Sequence, residues 1–231
     1  MIGAARRAWV RRRLTEAGAD PRLLEYLGRS FTPRRRAPLE QVRFVVLDTE
    51  TTGLDHAQDG LLSLAAVGVQ GGAVHLADRL DVIFASPHVG GHAAASVHGL
   101  VRRDLAAGVE EAEGVLRFLA MVKDAVLVAH HAAFDTAVLS RVLVGLGAPP
   151  LANPVVDTAH LVRRLDGGPL VDAHRAREDR SLDALVARLG FEIPARHTAA
   201  GDTLATAYAL LALLARARRR GITTLGDLLA R

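Results

Sequence analysis

Residues 44–47 restrict the possible folds of this chain more than any other segment, because the run Phe-Val-Val-Leu is apolar at every position. A strand with one exposed face alternates apolar and polar residues, whereas an uninterrupted apolar run is typical of a central strand covered on both faces. Such a strand needs a layer of helices on each side of its sheet. The segment therefore predicts an α/β fold built around a buried central strand.

The pattern on either side of this strand completes the predicted sheet. Strand-like segments at residues 61–69 and 73–84 are separated by Gly71-Gly72, which favours a hairpin. Further along, strands are predicted at 125–129 and 154–156, and helices at 110–122, 134–145, 158–165, 182–189 and 202–219. Antiparallel strands followed by alternating helices and strands predict a ribonuclease-H-like fold, with a mixed five-stranded sheet flanked by helices.

Residues 1–40 differ from the rest of the chain in charge. They contain ten arginines and four acidic residues, about +6, whereas the whole chain carries a net charge of +4. Residues 4–18 predict a short basic helix, and Asp20-Pro21 predicts the start of a second one. We therefore expect a basic helical N-terminal arm and linker at 1–40, followed by the main domain at 41–231.

Composition excludes several kinds of chemistry. The chain has no cysteine, so disulfides, thiolate zinc sites and a cysteine nucleophile are excluded, and a metal would need oxygen or imidazole ligands. No apolar run approaches the roughly 20 residues that span a bilayer, and no signal-peptide core follows the arginine-rich start. The expectation is a cytoplasmic protein without a membrane partner.

Two carboxylates lie at the end of the predicted buried strand. Asp48 and Glu50 stand at positions i and i+2, so both side chains project from one face of the strand and repel each other. The adjacent threonines carry no positive charge, and a bound divalent metal would relieve the repulsion. Alternatively, the chain simply turns into solvent at residues 52–53. This segment alone leaves both interpretations open.

Three later residues bear on the choice. Asp135 follows a predicted strand, and active sites in α/β sheets gather at the carboxyl ends of strands, although an aspartate in a first helical turn is also favoured by the helix dipole. Asp202 begins the last long helix and could be only a cap. His197, five residues earlier in a loop, is a candidate general base. No lysine or arginine in these motifs compensates the carboxylates, so together they predict a metal site.

The motifs resemble those of the DEDDh 3′-to-5′ exonucleases, the family that includes the DnaQ-like, epsilon-type proofreading subunits of DNA polymerase III. The first motif is Asp48-Thr49-Glu50-Thr51-Thr52-Gly53-Leu54, the second occupies residues 128–135 and the third runs from His197 to Asp202. Weaker matches lie at 97–100, 156–158 and 181–185, so the resemblance spans about 43–214. The family often has asparagine in place of His131 and an acidic residue in place of Ser63. Asp157 and Ser181 are interpreted as helix caps, and Asp183 as a structural or solvated residue.

The resemblance implies an active site and a reaction. Mg²⁺ or Mn²⁺, as two ions, would be held by Asp48, Glu50, Asp135 and Asp202, with His197 as the base. The pocket for the terminal nucleotide would be lined by Thr51, Thr52, Leu54, His98 and Phe134, although Leu54 and Phe134 could equally belong to the core. The expected activity is the release of nucleoside monophosphates from DNA, at single-stranded or frayed ends, during proofreading or repair.

Other functions remain possible. The enzyme could trim RNA or very short oligonucleotides, because the motifs recognise an end and a phosphate rather than a sugar. The domain could also be a binding-only module or an adaptor for a polymerase or other protein partner. The arm has two interpretations as well: its arginines could attract the nucleic-acid backbone, or its apolar residues could make it a packing or docking element.

Overall fold

The computed structural model describes residues 3–86, 102–167, 181–193 and 195–230. Its centre is a five-stranded sheet of β1 (Phe44–Thr51), β2 (Leu61–Gln70), β3 (Ala73–Ile83), β4 (Val126–Ala129) and β5 (Val155–Asp157). The strand order is β3-β2-β1-β4-β5; β1 is antiparallel to β2 and parallel to β4, and β5 is parallel to β4. This arrangement confirms the mixed five-stranded sheet that the sequence predicts.

Helices cover both faces of the sheet. In chain order they are α1 (Ala4–Glu16), α2 (Pro21–Leu27), α3 (Arg102–Ala106), α4 (Glu111–Val122), α5 (Ala133–Gly145), α6 (Thr158–Asp166), α7 (Leu182–Leu189), α8 (Ala199–Arg219) and α9 (Leu225–Leu228). The short helices α3 and α9 were not predicted, because one turn is too short to show a helical period in the sequence. None of the described helices is long and apolar enough to cross a membrane.

Strand β1 separates two hydrophobic cores. Val45 and Leu47 pack on the side of α4 and α5, whereas Phe44 and Val46 pack on the side of α6, α7 and α8, and all four are almost fully buried. The prediction of a strand covered on both faces is therefore confirmed. Because side chains alternate along a strand, the positions after Leu47 continue to face α8 and α5 in turn.

The two helices of the N-terminal segment differ in how they pack. Helix α1 buries none of its residues fully. Helix α2 is capped by the Asp20 side chain, as predicted, and contributes Leu23, Tyr26 and Leu27 to the core that contains α4 and α5. The Tyr26 hydroxyl also donates to the side-chain oxygen of Asn153 at 2.8 Å. Helix α2 thus shares a core with the sheet, and the division at residue 40 stays a prediction.

The segment after α2 shows which end of the sheet this region covers. Residues 30–34 line a groove together with Arg43, Val126 and Pro154. Arg43 and Pro154 immediately precede β1 and β5, and Val126 begins β4. The N-terminal segment therefore adjoins the amino-terminal ends of the parallel strands, whereas Asp48 and Asp157 lie toward their carboxyl ends.

Candidate active site

Three carboxylates meet where β1 approaches α8. Ligand oxygens of Asp48, Glu50 and Asp202 all lie within 4.8 Å of one another. The helix is capped by Thr198, whose side chain accepts a hydrogen bond from the Gly201 amide, so Asp202 lies inside the first turn. The predictions that Asp202 begins this helix or merely caps it are therefore wrong. We call Asp48, Glu50 and Asp202 the acidic cluster.

The acidic cluster is electrostatically unfavourable without a cation. Burial raises the pKa of Asp48 well above its usual range, and the charges of Asp135 and Glu50 add to the effect. Burial also raises the pKa of Glu50 to about 7, again with a contribution from Asp135. Crowded carboxylates in a partly desolvated site either hold protons or bind a cation. All-oxygen donors of this kind fit a hard divalent ion such as Mg²⁺ or Mn²⁺.

Asp135 lies beside the acidic cluster and is held by the opposite face of β1. It is buried in the first turn of α5, and its Oδ1 accepts hydrogen bonds from the backbone N–H of Thr49 at 2.9 Å and from the Thr49 hydroxyl at 2.7 Å. Burial raises the pKa of Asp135, and the bonds from Thr49 act against that rise. The predicted convergence of Asp48 and Asp135 has structural support, and metal ligation by Asp135 stays a prediction.

An arginine that the sequence analysis missed lies at the acidic cluster. The guanidinium of Arg196 forms ion pairs with Asp202 and, at 2.6 Å, with Asp183 of α7. Its charge lowers the pKa values of Asp48 and Glu50, against the dominant effect of burial. The motifs themselves contain no lysine or arginine, as the sequence analysis states, but Arg196 next to the third motif supplies a compensating charge. The available signal was position, because Arg196 immediately precedes the third motif.

His197 is attached to the acidic cluster through its backbone. Its N–H donates to Asp202 Oδ1 at 3.1 Å, but its side chain is exposed and the ring atom Nε2 lies 3.9 Å from Asp183 Oδ2. Among the described residues, no ion pair joins the His197 ring to Asp48 or Glu50. Asp183, interpreted from the sequence as structural or solvated, thus contacts both Arg196 and His197. The predicted caps, by contrast, are confirmed: Asp157 caps α6 and Ser181 caps α7.

The predicted nucleotide pocket is only partly described. After β1, the Thr52 hydroxyl donates to Asp59 Oδ1 at 2.8 Å and accepts from the Gly60 N–H, which closes the loop of residues 52–60. Leu54 is 92% exposed on this loop and is therefore not a core residue. Phe134 is half-buried against the core that contains α4 and α5. His98 and the motif at 97–100 lie outside the described residues.

The two departures from the family pattern are Ser63 and His131. Ser63 on β2 is paired with Glu50 on β1, and it is buried. Directly opposite residues of antiparallel strands project from the same face, so an acidic residue at position 63 would add charge beside Glu50. His131 is exposed and has a positive φ of 62°. The serine therefore leaves one carboxylate fewer next to the acidic cluster than the family pattern would.

A fold with carboxylates converging at the end of its central strand is suited to metal-assisted hydrolysis, and comparison with known proteins identifies the class. The model of the exonuclease family RNase_T matches residues 45–210, a span that contains all five predicted catalytic residues. The chain therefore belongs to this family, the DnaQ-like exonucleases.

The chain is also similar in sequence to two named DNA polymerase III proteins. The chain is 40% identical over 195 residues to the DNA polymerase III subunit epsilon-like protein of Rhodobacter capsulatus, covering 83% of this chain and 26% of that protein. It is 36% identical over 186 residues to the PolC-type DNA polymerase III of Bacillus subtilis, covering 80% and 12% respectively. The chain thus spans about a quarter or less of the length of these relatives.

Solved structures confirm the fold. E. coli Exonuclease I in complex with a dT13 oligonucleotide matches with a TM-score of 0.65 and 18% identity, over 78% of this chain and 43% of that chain. Exonuclease X in complex with 5′ overhanging duplex DNA matches with a TM-score of 0.59 and 21% identity, over 81% and 99% respectively. These matches support the ribonuclease-H-like exonuclease fold.

Proposed function

We propose that this chain is a divalent-metal-dependent 3′-to-5′ exonuclease that releases nucleoside monophosphates from DNA at single-stranded or frayed ends. The observation that carries the proposal is the acidic cluster, where three carboxylates from two elements converge and the pKa values of Asp48 and Glu50 are raised. Its position in the matched exonuclease span makes hydrolysis of a phosphodiester the reaction that best fits the site. A role in proofreading or repair fits this activity.

The residues divide into two ligand sets. Asp48, Glu50 and Asp202 would hold one ion, and Asp48 together with Asp135, acting through water, would hold a second. Divalent ions at these positions supply positive charge that activates a water molecule and stabilises the leaving 3′ oxygen. Thr49 keeps the Asp135 carboxylate oriented toward β1 through its two hydrogen bonds.

His197 would accept the proton of the attacking water. Its ring faces Asp183 in the present arrangement and must turn toward the acidic cluster to act. Such a change is compatible with the role, because catalytic hydrogen bonds often form only when substrate is bound. Leu54 and Phe134, with the backbone of Thr51 and Thr52, would contact the terminal nucleotide. The exposed side chain of Leu54 is available for this contact.

We propose DNA rather than RNA as the substrate, because the named relatives are DNA polymerase III proteins and the two structural neighbours are complexes with DNA. Trimming of RNA or short oligonucleotides is the second candidate. A polymerase-associated adaptor without activity is less well supported, since all five predicted catalytic residues are present. A partner bound through the N-terminal segment would contact the sheet at the end opposite the acidic cluster.

The test is a panel of 5′-labelled oligonucleotides, single-stranded and duplex, DNA and RNA, incubated with Mg²⁺ or with EDTA. We expect a ladder of progressively shorter labelled products from single-stranded DNA, formed only with the metal. Release of the labelled 5′ nucleotide as the first product would contradict the proposed direction. Equal cleavage in excess EDTA would contradict the metal-dependent mechanism, and faster cleavage of RNA would favour the second candidate.

A further inference from the structure

The position of Arg196 raises a question that the proposed function does not answer. Its guanidinium pairs with Asp202, a residue assigned to the metal, and its side chain is only 18% exposed. A guanidinium stays charged at all physiological pH values. Arg196 therefore supplies the positive charge that the acidic cluster needs when no divalent ion is bound.

A guanidinium and a divalent ion cannot both remain on Asp202 without penalty. Two cations on one carboxylate repel each other strongly in a partly desolvated site, where the effective dielectric constant is lower than in water. Arg196 therefore opposes binding of the ion to Asp202, and displacement of the guanidinium relieves that repulsion. The free energy of that displacement subtracts from the intrinsic affinity of the site for the ion.

A second acceptor for the displaced guanidinium is already in contact. Asp183 lies 2.6 Å from Arg196, and its side chain is 55% exposed, so it belongs to the surface rather than to the acidic cluster. Movement of the guanidinium from Asp202 onto Asp183 alone would retain one ion pair. It would also leave Asp202 without the competing guanidinium.

The backbone on either side of Arg196 is held against the first turn of α8. Ala195 and His197, on either side of Arg196, both have positive φ, at 58° and 62°, a conformation that is unfavourable for residues other than glycine. The Ala195 carbonyl packs so closely against Gly201 that a side chain at position 201 would clash with the carbonyl oxygen. The N–H of His197 donates to Asp202 as well. The Arg196 side chain and the His197 N–H thus both bind the Asp202 carboxylate, in a segment whose backbone conformation is unfavourable.

We propose that Arg196 is an internal cation that occupies the metal-free acidic cluster and competes with the divalent ion for Asp202, and that Asp183 is the acceptor that receives Arg196 when the ion binds. Both are positioning residues rather than catalytic ones. The inference rests on the proposed function, because it assumes that Asp202 binds the ion. Its consequence is that the two residues set metal affinity in opposite directions.

Calorimetric titration of the full chain with Mn²⁺ tests this opposition. Arg196→Ala removes the competing cation, so we expect the affinity for Mn²⁺ to rise about five- to tenfold, whereas Arg196→Lys should stay close to the wild type. Asp183→Asn removes the acceptor and should weaken Mn²⁺ binding about threefold or more. The matched control is Arg188→Ala, which breaks the surface ion pair of α7 with Asp166 and should leave the affinity unchanged.

Thermal unfolding provides a second readout that a purely structural role would not reproduce. Arg196→Ala should lower the Tm in EDTA but not with saturating Mn²⁺, since the ion then replaces the arginine. An equal loss under both conditions, or an affinity for Mn²⁺ that is unchanged or weaker, would overturn the inference. Failure of the wild-type protein to bind Mn²⁺ would instead overturn the proposed function, so the two failures are distinguishable.

Discussion

The two ends of the sheet carry charges of opposite sign, and these charges differ in their exposure to solvent. At the carboxyl end of β1, the carboxylates of the acidic cluster are partly desolvated, and burial and mutual repulsion raise the pKa values of Asp48 and Glu50. At the amino-terminal end, α1 and α2 carry arginines in exposed or surface-paired positions, such as Arg12 with Glu16 and Arg22 with Glu113.

This difference shows why net charge is a poor guide to function in this protein. The basic segment has a net charge of about +6, larger than the +4 of the whole chain. Water and neighbouring acids screen this charge, and exposed ion pairs contribute little. The acidic cluster holds few charges, and the fold forces them together at an energetic cost. A cost of this kind persists where a ligand relieves it. Four predictions test the contrast, from the largest expected effect to the smallest.

The largest effect should follow loss of one carboxylate from the acidic cluster. Asp202→Asn removes a metal ligand, so we expect kcat to fall roughly 10³-fold or more, because the metal supplies several kcal/mol of transition-state stabilisation. Single-turnover cleavage of end-labelled DNA measures the loss, and calorimetry should show that metal binding is lost with it. Asp124→Asn, which alters an exposed carboxylate paired with Arg29, should retain full activity.

His197→Ala should separate chemistry from metal binding. Loss of the general base should lower kcat roughly 10²- to 10³-fold. The affinity for Mn²⁺ should stay within about a factor of two of the wild type, because His197 contacts the acidic cluster through its backbone N–H, which alanine retains. Both quantities are measurable on the same preparation. Unchanged turnover would assign the base to another group.

The stability of the metal-free protein should fall as the pH rises. The pKa of Glu50 is raised from its usual 4.5 to about 7, so the folded state binds a proton that the unfolded state has released. The resulting stabilisation is complete below about pH 4.5 and is lost as the pH rises through 7. The Tm in EDTA should therefore decline between pH 5 and 7.5, and Mg²⁺ should reduce the decline.

Two substitutions check the origin of that decline. Glu50→Gln should reduce the pH dependence of the Tm in EDTA, because glutamine does not titrate, and the remaining decline would come from Asp48 and Asp135, whose pKa values are also raised. Glu113→Gln is the matched control, since Arg22 and Arg117 lower the pKa of Glu113 to about 2 and it stays ionised throughout this range. A decline of equal slope in Glu50→Gln would show that Glu50 is not responsible.

The smallest effect should come from the basic helix α1. If its arginines attract the nucleic-acid backbone, replacing Arg6, Arg12 and Arg13 by glutamine should raise KM about two- to fivefold at low salt and flatten its salt dependence, with kcat unchanged. Deletion of residues 1–40 is a less clean test, because it removes Leu23 and Tyr26 from the core. Parallel salt slopes for variant and wild type would favour the packing or docking interpretation.

Local pattern was enough to predict much of this protein. The apolar run before Asp48 predicts a buried strand, a period of two places Asp48 and Glu50 on one face, and Asp20-Pro21 marks the start of α2. Each of these features depends on residues only a few positions apart. For the same reason, the motifs were sufficient to identify the family and the five candidate catalytic residues.

Only the tertiary structure decided which side chains meet. Thr49 binds Asp135 across 86 positions, and Tyr26 reaches Asn153 across 127, so α2 becomes part of the core. Arg196 enters the acidic cluster because the turn before α8 directs it toward Asp202, although the sequence shows it only as one of 28 arginines. Contacts of this kind depend on how distant elements pack, and a pattern that repeats every two or four residues carries no information about them.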